Sequence, residues 1–471
     1  MKTILLAGII APLSAISLHA VPSVGRDYKR PDTAAPVAFR DASSVTSAPA
    51  QALAPDWWRL FDDPVLDQLE TAALAANQDL RAALARVEQA RAISGVARST
   101  YLPSLALDPS LARTQTSQTV DNAPAKTLTT THRLPLDFTW EIDLFGRVRR
   151  LNETTRAELA AAGATYEAAR LSLTAEVATM YFTLRALDHE RRVVAASIGL
   201  RHDALALVQA RYKSGDAGDL DVARAETELA TTEADAAALA LRRASTENAL
   251  AVLLGKAAPD FTAGESGDFH DAMPGIPAGL PSGLLTRRPD IVAAERTLAA
   301  ANARIGLAKA AFFPAISLTG NAGYASGDID DLFKGDSKLW TIGPSIYLPL
   351  FQGGRNRANL ARSRAAYEET LANYRQRVLV AFREVQDALT ASRLLTQQAG
   401  AQARAVASAR RGADLSQKRY DAGYVSYFEV VDAQRTALEV ERADARLTGQ
   451  RWIARVALIK ALGGGWQSPS S

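Results

Sequence analysis

Glu429, Asp432 and Arg435 stand three positions apart, the spacing that aligns side chains along one face of a helix. Carboxylates and a guanidinium in such a row can make and break charged contacts with a neighbouring helix. On an exposed face the same row would be no more than solvated charge. A second stretch offers Asp221 and Arg224 at the same spacing. Elsewhere the side chains that catalyse or ligate are missing or dispersed. The chain has no cysteine, which excludes disulfides, thiolate metal sites and a cysteine nucleophile. Its five histidines, His19, His132, His189, His202 and His270, are scattered, and no two lie four residues apart. There is no Gly-x-x-x-x-Gly-Lys phosphate loop or other nucleotide signature. Three methionines give no support to a thioether relay for soft metals. No catalytic residue, cofactor or resident metal is expected, so an enzyme reading has nothing to stand on.

These charges lie beside two sharp turns, Arg211-Tyr212-x-x-Gly215 and Arg419-Tyr420-x-x-Gly423. Each ends a very long helical stretch, and glycine fits the left-handed residue a helix needs before the chain reverses. An ordinary helical hairpin would account for both glycines. The first stretch, 147–214, runs 68 residues without a proline. Large residues recur at every seventh position, Leu159, Tyr166, Leu173, Met180, Leu187, Val194 and Val208, with only Arg201 breaking the row. A second row contains Val177, Leu184, Ile198, Leu205 and Tyr212. That is a coiled-coil signature, and a helix that keeps a strict seven-residue period must supercoil around neighbours. At about 1.5 Å per residue this helix would be roughly 100 Å long. The second stretch, 355–421, has 67 residues and no proline.

Hydrophobic residues make up 48% of the 471, enough for a large core. A net charge of +3, left by 54 basic and 51 acidic residues, gives a nucleic-acid partner no electrostatic support even at a pI near 9.0. Lys2 precedes an apolar run over 3–18 and a small residue at Ala20, the pattern of a secretory signal peptide spanning 1–20. No later segment has eighteen consecutive apolar residues, so no spanning helix is expected and any membrane crossing must use strands. Residues 21–55, rich in Pro, Ala, Ser and Asp, read as an extended N-terminal arm. Helical stretches follow at 64–75 and 79–98, the second ending ahead of Pro103.

Beyond Pro103 the period changes to two. Leu134, Leu136, Phe138, Trp140, Ile142 and Leu144 alternate with mostly polar residues, as in a half-buried strand of a soluble sheet or a membrane strand with one face in lipid. Its partner would be a strand over about 103–115, with Leu105 and Leu107 on the apolar face. The first strand pair is therefore placed at about 103–115 and 131–144.

The plan then repeats. Residues 79–107 match 290–318 without a gap, sharing nine of 29 residues, which is the mark of a duplicated structural unit. A second strand pair at about 314–324 and 340–351 leads into the helix at 355–421. Leu350-Phe351 repeats Leu144-Phe145, and Leu462-Gly463 repeats Leu254-Gly255. The first repeat spans 56–255, with helices at 147–214 and 219–254. The second spans 290–463, with helices at 355–421 and 426–462. A Gly- and Pro-rich linker at 256–289 forms a belt around the middle, and 464–471 is a tail. Helices at 219–254 and 290–311 would measure about 85 Å end to end, close to one long helix. Four strands are too few to close a barrel, and open edges are not tolerated in lipid. Three copies would give twelve strands, within the range of outer-membrane barrels.

At this point the sequence resembles the outer-membrane efflux protein family, typified by the TolC and OprM channels, and its NodT-like branch. The residues that carry the likeness are Val24-Gly25-x-Asp27-Tyr28-Lys29-Arg30-Pro31, Trp57-Trp58, Trp140-Glu141-x-Asp143-Leu144-Phe145-Gly146, 287–291, Phe312-Phe313-Pro314 and Pro349-Leu350-Phe351-x-Gly353-Gly354-Arg355. The resemblance covers nearly the whole mature chain. It implies a mainly α protein with a β-barrel contribution and two tandem repeats, assembled as a homotrimer. In that assembly a twelve-stranded outer-membrane barrel continues into a periplasmic α-helical barrel. It further implies a passive exit duct in a tripartite efflux pump for small toxic compounds or drugs. The implied partners are a periplasmic adaptor and an inner-membrane pump of the resistance-nodulation-division type.

By the same resemblance, Asp432 and Arg435 lie in the motif Asp432-Ala433-Gln434-Arg435 of a periplasmic gate, with Glu429 on the same face. Threefold symmetry would make each a ring of like charges. The turns, with Arg211, Tyr212, Gly215, Arg419, Tyr420 and Gly423, would be the tips that meet the adaptor. One departure is the absence of the lipidated cysteine many relatives carry, so no lipid anchor is expected. Two alternatives remain open, an exit duct for polypeptide in a type I secretion system and a secreted trimeric coiled-coil adhesin or scaffold.

Overall fold

The computed structural model describes residues 23–33, 35–40, 53–119, 128–264, 269, 273–276 and 283–466. The signal peptide at 1–20, most of the arm, His19, His270, parts of the linker and the end of the tail lie outside the described residues. The chain divides into two compact units. One comprises 1–30, 90–159 and 296–371, the other 31–89, 160–295 and 372–471.

The first unit holds the strands. They are β1 (Ser104–Leu107), β2 (Ser110–Gln115), β3 (Leu128–Ile142), β4 (Ala315–Ser326) and β5 (Lys338–Tyr347), all antiparallel, with β1 and β2 both on β3, then β4, then β5. The single strand expected at 103–115 is broken in two opposite Pro135 of β3, which accepts from Asp108 N (3.3 Å) but has no amide proton to return the bond. The break does not shift the register. Leu107 faces Leu136 and Ser110 faces Arg133, so β1 and β2 act as one strand. The strands expected to reach 144 and 351 stop at Ile142 and Tyr347, where Asp143 and Pro349 precede the glycines that turn the chain into helix.

Register sorts the two faces. Leu105 faces Phe138, Leu136 faces Ala322, Trp140 faces Leu318, Ile142 faces Ile316 and Ile346 faces Ile316 from the other side. Directly opposed residues share a face, so one face is an uninterrupted apolar surface. The other carries Asp137, Thr139, Glu141, Ser317, Asn321 and Ser345. Along β3 the apolar run from Leu134 to Ile142 covers about 27 Å at roughly 3.4 Å per residue. At its upper limit Tyr324 and Trp340 give way to Lys338, Ser326 and His132 on the same face. Helices α2 (Gln78–Ser99) and α6 (Pro289–Ala310) feed β1 and β4, and β3 and β5 feed α3 (Arg147–Ser214) and α7 (Arg355–Asp421). At the start of α3 the buried Arg150 donates to Val24 O (3.2 Å), Gly25 O (3.2 Å) and Asp27 Oδ1 (2.9 Å), which pins the segment after residue 22.

The second unit is helical. It includes α1 (Pro64–Ala76), α4 (Asp219–Leu253), a single turn α5 (Leu284–Arg287) and α8 (Tyr427–Ala461), with the longer parts of α3 and α7. The seven-residue row of α3 is buried where it matters for packing. Leu173 lies with Leu250 and Leu254, and Leu187 and Val194 with Leu239 and Leu438. A second core gathers Trp57, Trp58, Phe61, Phe182 and Trp452, whose rings Phe182 and Trp452 stack at 5.1 Å. Asp63 caps α1 by accepting from Val65 N (3.0 Å) and Leu66 N (3.2 Å), and its other oxygen accepts from Tyr181 and Arg185 (2.6 Å each). One finding was not anticipated. α3 contains an 18-residue window long and apolar enough to cross a membrane by composition alone. The row through Val194, Arg201 and Val208 is buried, with Val194 against Leu239 and Leu438 and Arg201 against Glu228.

Candidate functional site

All the candidate residues belong to the two hairpins α3–α4 and α7–α8 of the second unit. Gly215 and Gly423 have φ of +84° and +80°. Gly215 N donates to Tyr212 O (3.1 Å) and Asp216 N to Arg211 O (2.8 Å), and Gly423 N to Tyr420 O (3.0 Å) and Tyr424 N to Arg419 O (2.9 Å). This pair of bonds satisfies the last carbonyls of each long helix and reverses the chain. The acids that open the return helices, Asp219 and Asp221 on α4 and Glu429 on α8, complement the positive helix ends.

The two turns are unequal. Tyr212 and Arg419 are exposed, whereas Tyr420 is 7% exposed and packs at 5.6 Å from the buried Tyr427. The Arg211 guanidinium lies 4.4 Å over the Tyr420 ring. Val208, Ala225, Val430 and Val431 complete this small core. Tyr420, expected at a contact surface, is therefore a buttress between the hairpins, because its ring packs among Val208, Ala225 and Tyr427 under the Arg211 guanidinium. Burial also pushes the Tyr427 phenol above its ordinary pKa, aided by the neighbouring Tyr420.

The row on α8 is split between solvent and a buried partner. Glu429 and Asp432 are exposed. Arg435 reaches across to α4 and donates to Glu228 Oε1. Glu228 is 8% exposed, and its Oε2 accepts from Arg201 Nη1 at 2.7 Å. The same Arg201 nitrogen donates to Glu228 O (2.7 Å) and Thr232 Oγ1 (2.6 Å). One carboxylate on α4 thus holds an arginine from α3 and another from α8. Burial lowers the Arg201 pKa while Glu228 opposes the change, and the hydrogen bond that Arg435 donates to Glu228 raises that of Arg435. Asp221 and Arg224 form an ion pair of 3.6 Å, and Arg224 lies 5.3 Å over the Phe428 ring. An open cleft of about 330 Å³ brings Arg224, Phe428, Asp432 and Arg435 together.

Reading the sequence missed Glu228, Thr232 and Phe428. The usable signal was Arg201, the one charged residue in an otherwise apolar seven-residue row. A guanidinium at such a position needs a carboxylate partner in the packed interface.

Two long helical hairpins, joined in one chain to four strands' worth of open sheet with an apolar face, define a subunit of a channel that combines a membrane sheet with long helices. The chain belongs to the outer membrane efflux protein family, whose model matches residues 69–256 and 280–464. It is 36% identical over 406 residues, 86% of each chain, to the solvent efflux pump outer membrane protein SrpC of Pseudomonas putida. To the outer membrane protein OprJ of Pseudomonas aeruginosa it is 35% identical over 469 residues, covering 98% of this chain and 97% of OprJ. Among solved structures, the outer-membrane channel OprN superposes with a TM-score of 0.89 at 32% identity, over 94% of this chain and 100% of OprN.

Proposed function

We propose that this protein is the outer-membrane exit duct of a tripartite efflux pump. It works as a homotrimer through which small toxic organic compounds leave the periplasm. The observation that carries the reading is the sheet, which presents an apolar face while both of its edges, β1/β2 and β5, stay open. An open edge in lipid leaves backbone groups unsatisfied, so three copies joined edge to edge are the economical way to close twelve strands. Family membership removes the adhesin alternative, and the efflux naming of SrpC favours small organic cargo over polypeptide. A periplasmic adaptor meets the turns at Tyr212, Arg419 and the exposed Tyr424, and an inner-membrane pump of the resistance-nodulation-division type supplies the energy. The duct involves no catalytic step of its own.

The gate in this reading is the α8 row. Arg435 is tethered to Glu228 and leaves Asp432 to face the symmetry axis or the neighbouring copy. Opening requires α8 to leave α4, which breaks the Arg435–Glu228 pair. Single-channel recording in a planar bilayer tests this, with the parent compared to an Asp432→Ala, Arg435→Ala variant. The expected result is a small parent conductance and a clearly larger one in the variant. Equal conductances would remove the gate assignment and leave the duct, whereas correctly folded protein that never inserts would remove both.

A further inference from the structure

The two repeats carry the same junction between strand and helix, and among the described residues only the first has its opening arginines paired with acids. In the first repeat Phe145 stacks on Phe313 at 5.1 Å. The arginines that open α3 are neutralised, Arg147 by Glu141, Arg149 by Asp143 and Arg150 by Glu153 and Asp27. In the second repeat Leu350 and Phe351 are 89% and 90% exposed. Four arginines follow, Arg355, Arg357, Arg362 and Arg364, before the first acid of α7 at Glu368. Tyr347 and Pro349 stand where the first repeat has Glu141 and Asp143. Cationic side chains at a helix N-terminus face the positive end of the helix dipole, so this arrangement is costly unless an anion covers it.

What covers it can be argued from charge and from register. A second copy of the same unit has little to offer. The acids beside its helix ends, Glu141, Asp143, Glu153, Glu158 and Asp27, are each already bound to an arginine. The acids of the β4–β5 loop lie at the opposite end of the sheet. The apolar residues point to lipid. Leu348, Leu350 and Phe351 are exposed directly beyond the end of β5, whose Trp340, Ile342 and Ile346 are exposed on the apolar face of the sheet, so apolar surface continues from the strand into this segment. Apolar surface that ends in a collar of arginines matches the boundary between acyl chains and anionic headgroups.

We infer that the Leu348–Phe351 segment and the first turns of α7 form a docking surface for anionic glycerophospholipid of the periplasmic leaflet. Leu350 and Phe351 enter the acyl region and the arginines bind the phosphates. Arg355 with Arg362, and Arg357 with Arg364, are seven apart and form two rows on different flanks of the helix. The inference rests on the outer-membrane reading above.

Native mass spectrometry of the detergent-solubilised full chain tests it, with phosphatidylglycerol, phosphatidylethanolamine and inorganic phosphate added separately. The parent is expected to retain phosphatidylglycerol in preference to phosphatidylethanolamine. That preference is expected to fall roughly tenfold or more in R355Q/R357Q/R362Q/R364Q, since each basic residue near an anionic surface contributes several-fold. At least one of the double variants R355Q/R362Q and R357Q/R364Q should lower it in part. Equal retention of the two lipids, or an unchanged preference in all three variants, overturns the inference. Competition by inorganic phosphate as strong as that of phosphatidylglycerol makes this a free-anion site and also overturns it. So does dissociation of the assembly into single chains by Leu350→Ser, Phe351→Ser, which would make the patch a contact between copies. Conductance of the same variants separates the two readings, because a variant that inserts and conducts leaves the duct intact.

Discussion

At Glu228 a single carboxylate joins three helices, and magnitudes separate its partners. Arg201 and Glu228 are nearly inaccessible, whereas the Arg435 side chain is 56% exposed. Removing one partner of a buried pair leaves an uncompensated charge and costs about 3–5 kcal/mol, while an exposed pair contributes roughly 1 kcal/mol or less. Denaturant melting should therefore find Glu228→Ala strongly destabilised and Arg435→Ala little changed, with both conducting more than the parent. Matched stabilities would mean that Arg201 does not depend on Glu228. Glu70 behaves differently. It is buried on α1 with both carboxylate oxygens unpartnered, and burial raises its pKa from 4.5 to about 9, with a smaller contribution from Asp67. The folded protein then holds a proton that the unfolded chain releases. Stability should fall as pH rises between those two values, by about 1.4 kcal/mol per pH unit from this group. Glu70→Gln should flatten that slope and melt higher at pH 8. An unchanged pH profile would show that Glu70 is already ionised in the native state.

Among the elements, the long helices were the most legible in the sequence, because proline-free length and a seven-residue period require no tertiary information. The glycines that end helices were legible for the same local reason: Gly215 after α3, Gly423 after α7 and Gly463 after α8 all have positive φ. Their tolerance of substitution was not. A Cβ at Gly215 meets nothing within 4 Å, whereas at Gly463 it would run into Arg287 O. Gly215→Ala should cost only the left-handed strain, about 1–2 kcal/mol, and Gly463→Ala clearly more. Thermal melts of the two variants check the order, and the reverse order would mean that the turn at Gly215 is packed in the assembly. The strands were legible by alternation at β3, where the five apolar residues Leu134, Leu136, Phe138, Trp140 and Ile142 mark one face. The break between β1 and β2 was not, because Pro135 matters only through the bond it cannot return to Asp108 across the ladder.

At the scale of the whole molecule, the strand order β1/β2–β3–β4–β5 leaves the first and last strands for other copies. The chain has no cysteine of its own, so introduced pairs report cleanly. Cysteines scanned over Leu105 and Leu107 on one edge and Ile342 and Ile346 on the other should link separate chains on oxidation, giving a covalent species three chains in size. A disulfide requires Cα atoms about 4.4–6.8 Å apart, so absence of any cross-link across the scan would refute edge-to-edge closure. The sequence by itself determined the long helices, the duplicated plan, the apolar strand face and the positions of the reversing turns, all of which follow from local periodicity and backbone chemistry. Only the tertiary structure decided that Tyr420 is a buttress, that Arg435 is held by Glu228 and that Arg201 completes the cluster. Those assignments depend on which helix faces meet: Arg201 and Glu228 face each other across one hairpin, while Arg435 and Tyr420 come from the other, more than two hundred positions from Glu228 and Arg211.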